Sequence, residues 1–170
     1  AVVAVFRADP ARYSEVMLGR PVNEYCAWIR EKGSWGGALE LQALSKHFRR
    51  RIYAFDIQTL RVDRYGEEED YAEAAFVVYD GIHYDALARA FSESSPVERD
   101  VTRFEVGSPA FAAAQAAAVD LVHRFHRERA FTDTAGFTLR CGTCGEGVRG
   151  EAGAHAHAQR TGHTNFREYK

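Results

Sequence analysis

Two groups of side chains in this sequence have types and spacings that suit chemistry. Toward the C-terminal end, Cys141-x2-Cys144-x12-His157-x5-His163 offers two thiols on a tight turn and two imidazoles from one following helix. Two thiolates and two imidazoles can close a tetrahedral zinc shell, and a shell filled by four protein ligands leaves no open position for a reactive water. The spacing therefore predicts one structural zinc ion. His155 is an alternative to His157, with a longer gap to His163. Near the middle, Tyr79-Asp80-Gly81-Ile82-His83-Tyr84-Asp85 holds a histidine between an apolar run and a short extended segment. Such a histidine can be a hydrogen-bonded turn residue. It can also be the base that deprotonates a cysteine thiol, with a carboxylate on its other ring nitrogen. Asp85, two residues on, falls on the same strand face and is a candidate orienter. Asp80, directly before glycine, reads as turn chemistry.

A thiol base needs a thiol. The chain has three cysteines, and two of them form the Cys141–Cys144 pair that suits a metal better than a disulfide. Cys26 remains, in a segment where Tyr25, Trp28 and Ile29 keep the spacing of a helix face, so a buried structural thiol is expected. No cysteine upstream of His83 stands at a helix start. The chain by itself is thus expected to carry a base without its nucleophile, and to be inactive.

The elements that must position these groups can be read in order. Val2 to Ala8 is helical and stops at Asp9-Pro10, because the residue before proline avoids the helical region. That opening within an apolar helix suggests a protein cut short at its N-terminus. Pro21 starts a helix expected to run to about Lys32-Gly33, and Leu41, Leu44 and Phe48 mark another over Ala38 to Phe48. Before it, Gly36-Gly37 allows close backbone approach, with Trp35 as a packing anchor. Ile52–Asp56 and Leu60–Tyr65 read as strands, and the unbroken apolar run Ala75–Tyr79 as a central strand that delivers His83. Val101–Val106 reads as a last strand. Ser108 caps a long helix with Pro109 at its first position. Phe111, Ala114, Ala118, Leu121, Val122 and Phe125 give that helix one apolar side. Thr132 to Gly136 is a short linker, and Phe137 and Leu139 lead as a strand into Cys141. The domains expected are 1–107, 108–136 (long helix and linker) and 137–166 (the finger).

Composition narrows the partners. With 46% hydrophobic and 12% aromatic residues, the 170-residue chain can pack a core. A formal net charge of −2 argues against a general nucleic-acid binder. The finger is single and its helix starts Glu151-Ala152-Gly153-Ala154, without the basic residues a nucleic-acid finger presents. No apolar run approaches a membrane span. No nucleic acid and no membrane insertion are expected, and a cytoplasmic location is the default.

Several segments together resemble the ovarian-tumour (OTU) family of cysteine deubiquitinases. They are Tyr13-Ser14-Glu15, Glu24-Tyr25-Cys26-x-Trp28-Ile29, Trp35-Gly36-Gly37, Asp56-x-Gln58-Thr59-x-Arg61-x-Asp63-Arg64 and Tyr79 to Asp85. Phe131-Thr132-Asp133, Phe137 to Cys141 and Thr161-Gly162-His163-Thr164-Asn165-Phe166 are similar to the C2H2 finger of the subfamily that works in ER-associated degradation. The resemblance implies an α+β, papain-like OTU cysteine-protease domain (its C-terminal part) followed by one C2H2 zinc finger. It implies hydrolysis of isopeptide bonds in ubiquitin and polyubiquitin chains, with His83 as the catalytic histidine and Ile82 beside the ubiquitin tail. It also implies an AAA-type segregase as partner, recruited through an N-terminal domain absent here, and a role in the unfolded-protein response. The family's nucleophile lies in an Asp-Asn-x-Cys motif, which this chain lacks. Cys26 falls where relatives carry a non-catalytic cysteine. The competing readings are a ubiquitin-binding pseudoenzyme and a single-finger nucleic-acid adaptor.

Overall fold

The computed structural model describes residues 1–92, 94–133, 138–163 and 165–168. Three short helices open the chain: α1 (Val2–Ala8), α2 (Glu15–Leu18) and α3 (Val22–Trp28). Their apolar sides meet around Phe6, Tyr13, Tyr25 and Cys26, with Ala43 of α4 (Ala38–Phe48) closing the cluster. Cys26 is fully buried there, as a structural thiol should be. α3 stops at Trp28, short of the expected Lys32-Gly33. Its last turn tightens, with the Arg30 N–H donating to the Ala27 carbonyl and that of Glu31 to Trp28, and Ser34 Oγ takes the Trp28 carbonyl as well.

The strands follow. β1 (Arg51–Asp56) pairs antiparallel with β2 (Val62–Tyr65) and parallel with β3 (Glu73–Tyr79). β3 pairs along its other edge with β4 (Tyr84–Leu87) and then β5 (Phe104–Glu105), both antiparallel. Leu60 was expected inside a strand, but it takes a left-handed conformation, φ 59°, in the turn before β2. Only Phe104 and Glu105 of the expected Val101–Val106 strand join the sheet, apart from one bridge between Arg89 and Val101. The reason is occupancy. β4 already covers β3 from Phe76 to Tyr79, leaving only Glu73–Ala75 of that edge, and Glu73 and Ala74 take β5.

Alternation of side chains gives β1 two buried faces. Tyr53 and Phe55 pack with Phe76, Val78 and Phe104 against Ala114, Ala118 and Val122 of α5 (Pro109–Arg127). Ile52 and Ala54 pack the opposite way, against Leu41 and Leu44 of α4. The sheet is therefore a middle layer between α4 and α5, and the turn from β3 to β4 emerges at its end carrying His83. α5 begins as its sequence predicts, with the Phe111 N–H donating to Ser108 Oγ at 3.1 Å and Pro109 in the first turn.

The C-terminal unit has its own small sheet. β6 (Thr138–Cys141) lies between β7 (Gly147–Arg149) and β8 (Phe166–Glu168), with α6 (Gly150–Thr161) following β7. The expected strand thus exists from Thr138 onward. Phe137, and Thr134 to Gly136 of the expected linker, lie outside the described residues. Among the described residues, no helix is long and apolar enough to cross a membrane.

Candidate functional site

The Asp80–His83 turn is organised by Asp80. Its Oδ1 accepts the backbone N–H of Ile82 at 2.9 Å and of His83 at 2.7 Å. Partial burial pushes the Asp80 carboxyl up, but those two N–H donors outweigh it and hold the group below its ordinary value. Asp80 is thus the turn residue its sequence suggests. The carboxylate paired with the imidazole is Asp85, whose Oδ1 lies 3.3 Å from His83 Nδ1, with both side chains more than half exposed. Among the described residues, the Asp85 contact is to Nδ1, which leaves Nε2 as the ring nitrogen open to a proton donor. A base poised to take a proton through Nε2, with its other nitrogen held by a carboxylate, is half of a thiol-activating device.

His83 borders an open cleft of about 270 Å³ that runs between the β3–β4 turn and the start of α4. Trp35 stands edge-on to the imidazole, ring centres 6.3 Å apart, and is 60% exposed. It is therefore a wall of the cleft, not the packing anchor expected. Ile82, 45% exposed, forms the rim. The packing task falls instead to Glu40, whose importance is not evident in its local sequence. Only 7% exposed, it accepts the Tyr25 hydroxyl at 2.8 Å with one oxygen and the Gly37 N–H at 2.7 Å with the other. It caps α4 and ties α3 to the cleft floor in one residue. Burial first, then Glu40, pushes the Tyr25 hydroxyl well above its ordinary range, so it stays a donor. At Gly36 a Cβ would stand 3.0 Å from Glu40 Cγ. That glycine makes room for a side chain, whereas backbone approach had been expected. No cysteine lines the cleft. Cys26 belongs to the N-terminal helical cluster.

In the C-terminal unit, one ligand atom from each of Cys141, Cys144, His157 and His163 lies within 4.8 Å of every other. Cys141 Sγ is 3.6 Å from His163 Nδ1, and Cys144 Sγ is 3.6 Å from His157 Nε2. Tetrahedral zinc, with Zn–S of about 2.3 Å and Zn–N of about 2.0–2.1 Å, separates a sulfur from a nitrogen by about 3.6 Å. The donor set therefore fits zinc in type and in spacing. His155 is exposed and outside the cluster. α6 ends at Thr161 with Gly162 left-handed, φ 76°, so only His157 is helical. His163 lies just past the helix end, contrary to the expectation of two imidazoles from one helix. Thr161 Oγ1 secures that exit, donating to the His157 carbonyl and accepting the His163 N–H.

A residue the ligand pattern does not name completes the arrangement. Glu146 Oε2 sits 3.2 Å from His157 Nδ1, and both its oxygens accept from Arg160. Arg160 holds the Glu146 carboxyl below its ordinary value against the upward push of desolvation. A carboxylate on the second nitrogen fixes the tautomer that aims Nε2 at a metal. Burial pushes the Cys141 thiol up, but backbone N–H groups of Cys144 and Thr143, with the Cys144 and His157 side chains, pull it down to about 6. A thiol so placed is readily ionised for metal binding.

The mixed sheet, the histidine–carboxylate pair and the four-ligand finger define the class: a cysteine-protease-type α+β domain with a C2H2 finger. Residues 2–87 match the family described as OTU-like cysteine protease. Residues 135–169 match the C-terminal C2H2-type zinc finger of ubiquitin thioesterase OTU1. The chain is 45% identical over 170 residues to "OVARIAN TUMOR DOMAIN-containing deubiquitinating enzyme 2" of Arabidopsis thaliana, covering 99% of this chain and 82% of that relative. It is 41% identical over 167 residues to ubiquitin thioesterase OTU1 of Gallus gallus, covering 98% and 54%, and equally identical to that of Homo sapiens, covering 98% and 47%. It therefore spans about half the length of these two OTU1 relatives. A solved OTU domain in complex with ubiquitin shares the fold, with a TM-score of 0.67 at 24% identity over 77% of this chain and 71% of that one. The chain belongs to the ovarian-tumour family, in the group that appends a C2H2 zinc finger.

Proposed function

We propose that this chain is the base-bearing, substrate-facing portion of a thiol-dependent deubiquitinase that hydrolyses isopeptide bonds in polyubiquitin. The observation that carries the reading is the His83–Asp85 pair at 3.3 Å on the rim of an open cleft, with Asp85 on Nδ1 and not on Nε2. In this reading His83 takes the thiol proton from a cysteine outside these residues, in an Asp-Asn-x-Cys segment. The thiolate attacks the carbonyl carbon at the ubiquitin tail, and the proton passes to the departing lysine amine as the acyl-enzyme forms. Water then attacks the thioester with the same histidine as base. Asp85 keeps the imidazole oriented, and Ile82 contacts the tail. Relatives named as ubiquitin thioesterases and deubiquitinating enzymes support the activity.

The finger, in the same reading, binds one structural zinc through Cys141, Cys144, His157 and His163. When bound, the metal supplies the cross-link that so short a segment needs to hold its fold. We assign the protein to ER-associated degradation in the cytoplasm, with an AAA-type segregase recruited by a domain outside these residues.

The test compares two proteins. The 170-residue chain should cleave no ubiquitin substrate, because no described cysteine reaches the cleft; cleavage abolished by Cys26→Ser would make Cys26 the nucleophile. The full-length enzyme should react with a ubiquitin-derived electrophilic probe, and His83→Ala should lower its turnover by about 10²- to 10⁴-fold. Near-normal turnover in that variant removes His83 from the mechanism. Because the cleft of this chain holds no thiol, a second reading applies to the chain alone: a ubiquitin binder without catalysis. Measurable ubiquitin affinity without turnover distinguishes it.

A further inference from the structure

The turn that carries His83 is held from outside its own hairpin. Immediately after α5, the Thr132 N–H donates to the Asp80 carbonyl oxygen at 2.7 Å. Gly81 makes that approach possible. Its φ is +100°, and a Cβ there would overlap the Thr132 carbonyl oxygen. The backbone at Thr132 therefore lies against the turn through both its N–H and its C=O.

The approach is built, not incidental. Arg129, left-handed at φ 54°, ends the helix, and the Ala130 N–H donates back to the Phe125 carbonyl at 2.9 Å, so the chain reverses toward the sheet. Phe131 then packs on the main core and stacks against His126, ring centres 5.7 Å apart and nearly parallel at 14°. His126 is itself anchored, its Nδ1 donating to the Ile57 carbonyl oxygen at 2.8 Å. These contacts bring the strap to the turn from the far side of the sheet layer.

The geometry points to Phe131 and Thr132 as positioning residues for His83, acting through the Asp80–Gly81 peptide; the assignment rests on the reading of His83 as the general base. The His83 side chain is more than half exposed, so packing does little to hold it. Its place is set by the backbone beneath, and that backbone is held by Asp80 Oδ1 inside the turn and by Thr132 outside it. Misplacement of a reacting group by about 1 Å can cost about 100-fold in rate. Loosening the strap should therefore slow chemistry while leaving the substrate surface in place.

Thr132→Pro removes the donor N–H, Thr132→Ala keeps it, and Phe131→Ala removes the anchor. In the 170-residue chain, the Ile82 and His83 amide resonances should shift or broaden in Thr132→Pro and Phe131→Ala, stay put in Thr132→Ala, and leave those of β1 and β2 unchanged. In the full-length enzyme, Thr132→Pro should lower kcat by about 10- to 100-fold on a ubiquitin C-terminal fluorogenic amide, with KM within about twofold. Unmoved Ile82 and His83 amides in Thr132→Pro overturn the proposal. So does a variant that loses only thermal stability while its folded fraction keeps normal kcat. His83→Ala with intact turnover would instead sink the base reading, and the amide shifts would still report whether the strap holds the turn.

Discussion

Glu146 offers a searching test of the finger, because the ligand pattern alone gives it no role. The His157 side chain is 1% exposed, and Glu146 Oε2, 3.2 Å from its Nδ1, is the acceptor that the ring nitrogen faces. Loss of a carboxylate behind a ligating histidine lowers metal affinity by about 10- to 100-fold. Glu146→Ala should fall toward the upper end of that range, since it leaves a buried donor unpaired. Glu146→Gln retains an acceptor without charge and should fall near the lower end. Arg160→Ala should do least. Arg160 is 60% exposed; besides its pair with Glu146 it touches His157 Nδ1 only at 3.4 Å, so a loss of no more than about fivefold is expected for such a surface group. Competition against a fluorescent zinc chelator at fixed pH would rank the three, with metal analysis checking that the unaltered finger holds one zinc. The affinity should also fall on acidification. Because the Cys141 thiol is held at about 6, its proton competes in earnest only below that pH, not from the ordinary thiol range near 9. Unchanged affinity in Glu146→Ala, or a loss in Arg160→Ala as large as in Glu146→Ala, would refute the argument. Stoichiometric zinc in a Cys141→Ser, Cys144→Ser double variant would remove the site itself.

Two further outcomes follow from the catalytic unit. Glu40→Ala should destabilise it by about 2–4 kcal/mol, from a buried Tyr25 hydroxyl left unpaired and a lost cap on α4; an unchanged urea midpoint would show that water replaces both bonds without loss. Asp85→Asn in the full-length enzyme should lower kcat by about fivefold or less, as expected for an exposed pair. A thousandfold loss would mean that the pair is desolvated in the working enzyme.

Much of the arrangement is legible locally. The Cys141-x2-Cys144 turn and the His157–His163 interval are short covalent tethers, so their meeting follows from chain reach, and the structure brings those four together. His83 and Asp85 do meet, two residues apart, although His83 lies in the turn just before β4 and the expected shared strand face is not what pairs them. The Ser108-Pro109 start of α5 follows from cap chemistry. Trp35 and the expected Val101–Val106 strand show where local reading stops. An indole beside two glycines gives no sign of which surface it will line, and a strand segment cannot show that β4 already holds most of the edge it needs.

The sequence by itself determined the ligand set, the histidine motif, the burial of Cys26 and the family membership, which a 45% identical relative carries over 99% of the chain. Tertiary structure alone decided that Glu40 ties α3 to α4, that Glu146 stands behind His157, and that Thr132 holds the turn beneath His83. The first kind of fact depends on residue type and on spacing within a few turns of chain. The second depends on which element packs over which. α5 lies across one face of the sheet because Ala114, Ala118 and Val122 must be buried, and that packing delivers a backbone N–H to a carbonyl far away in sequence.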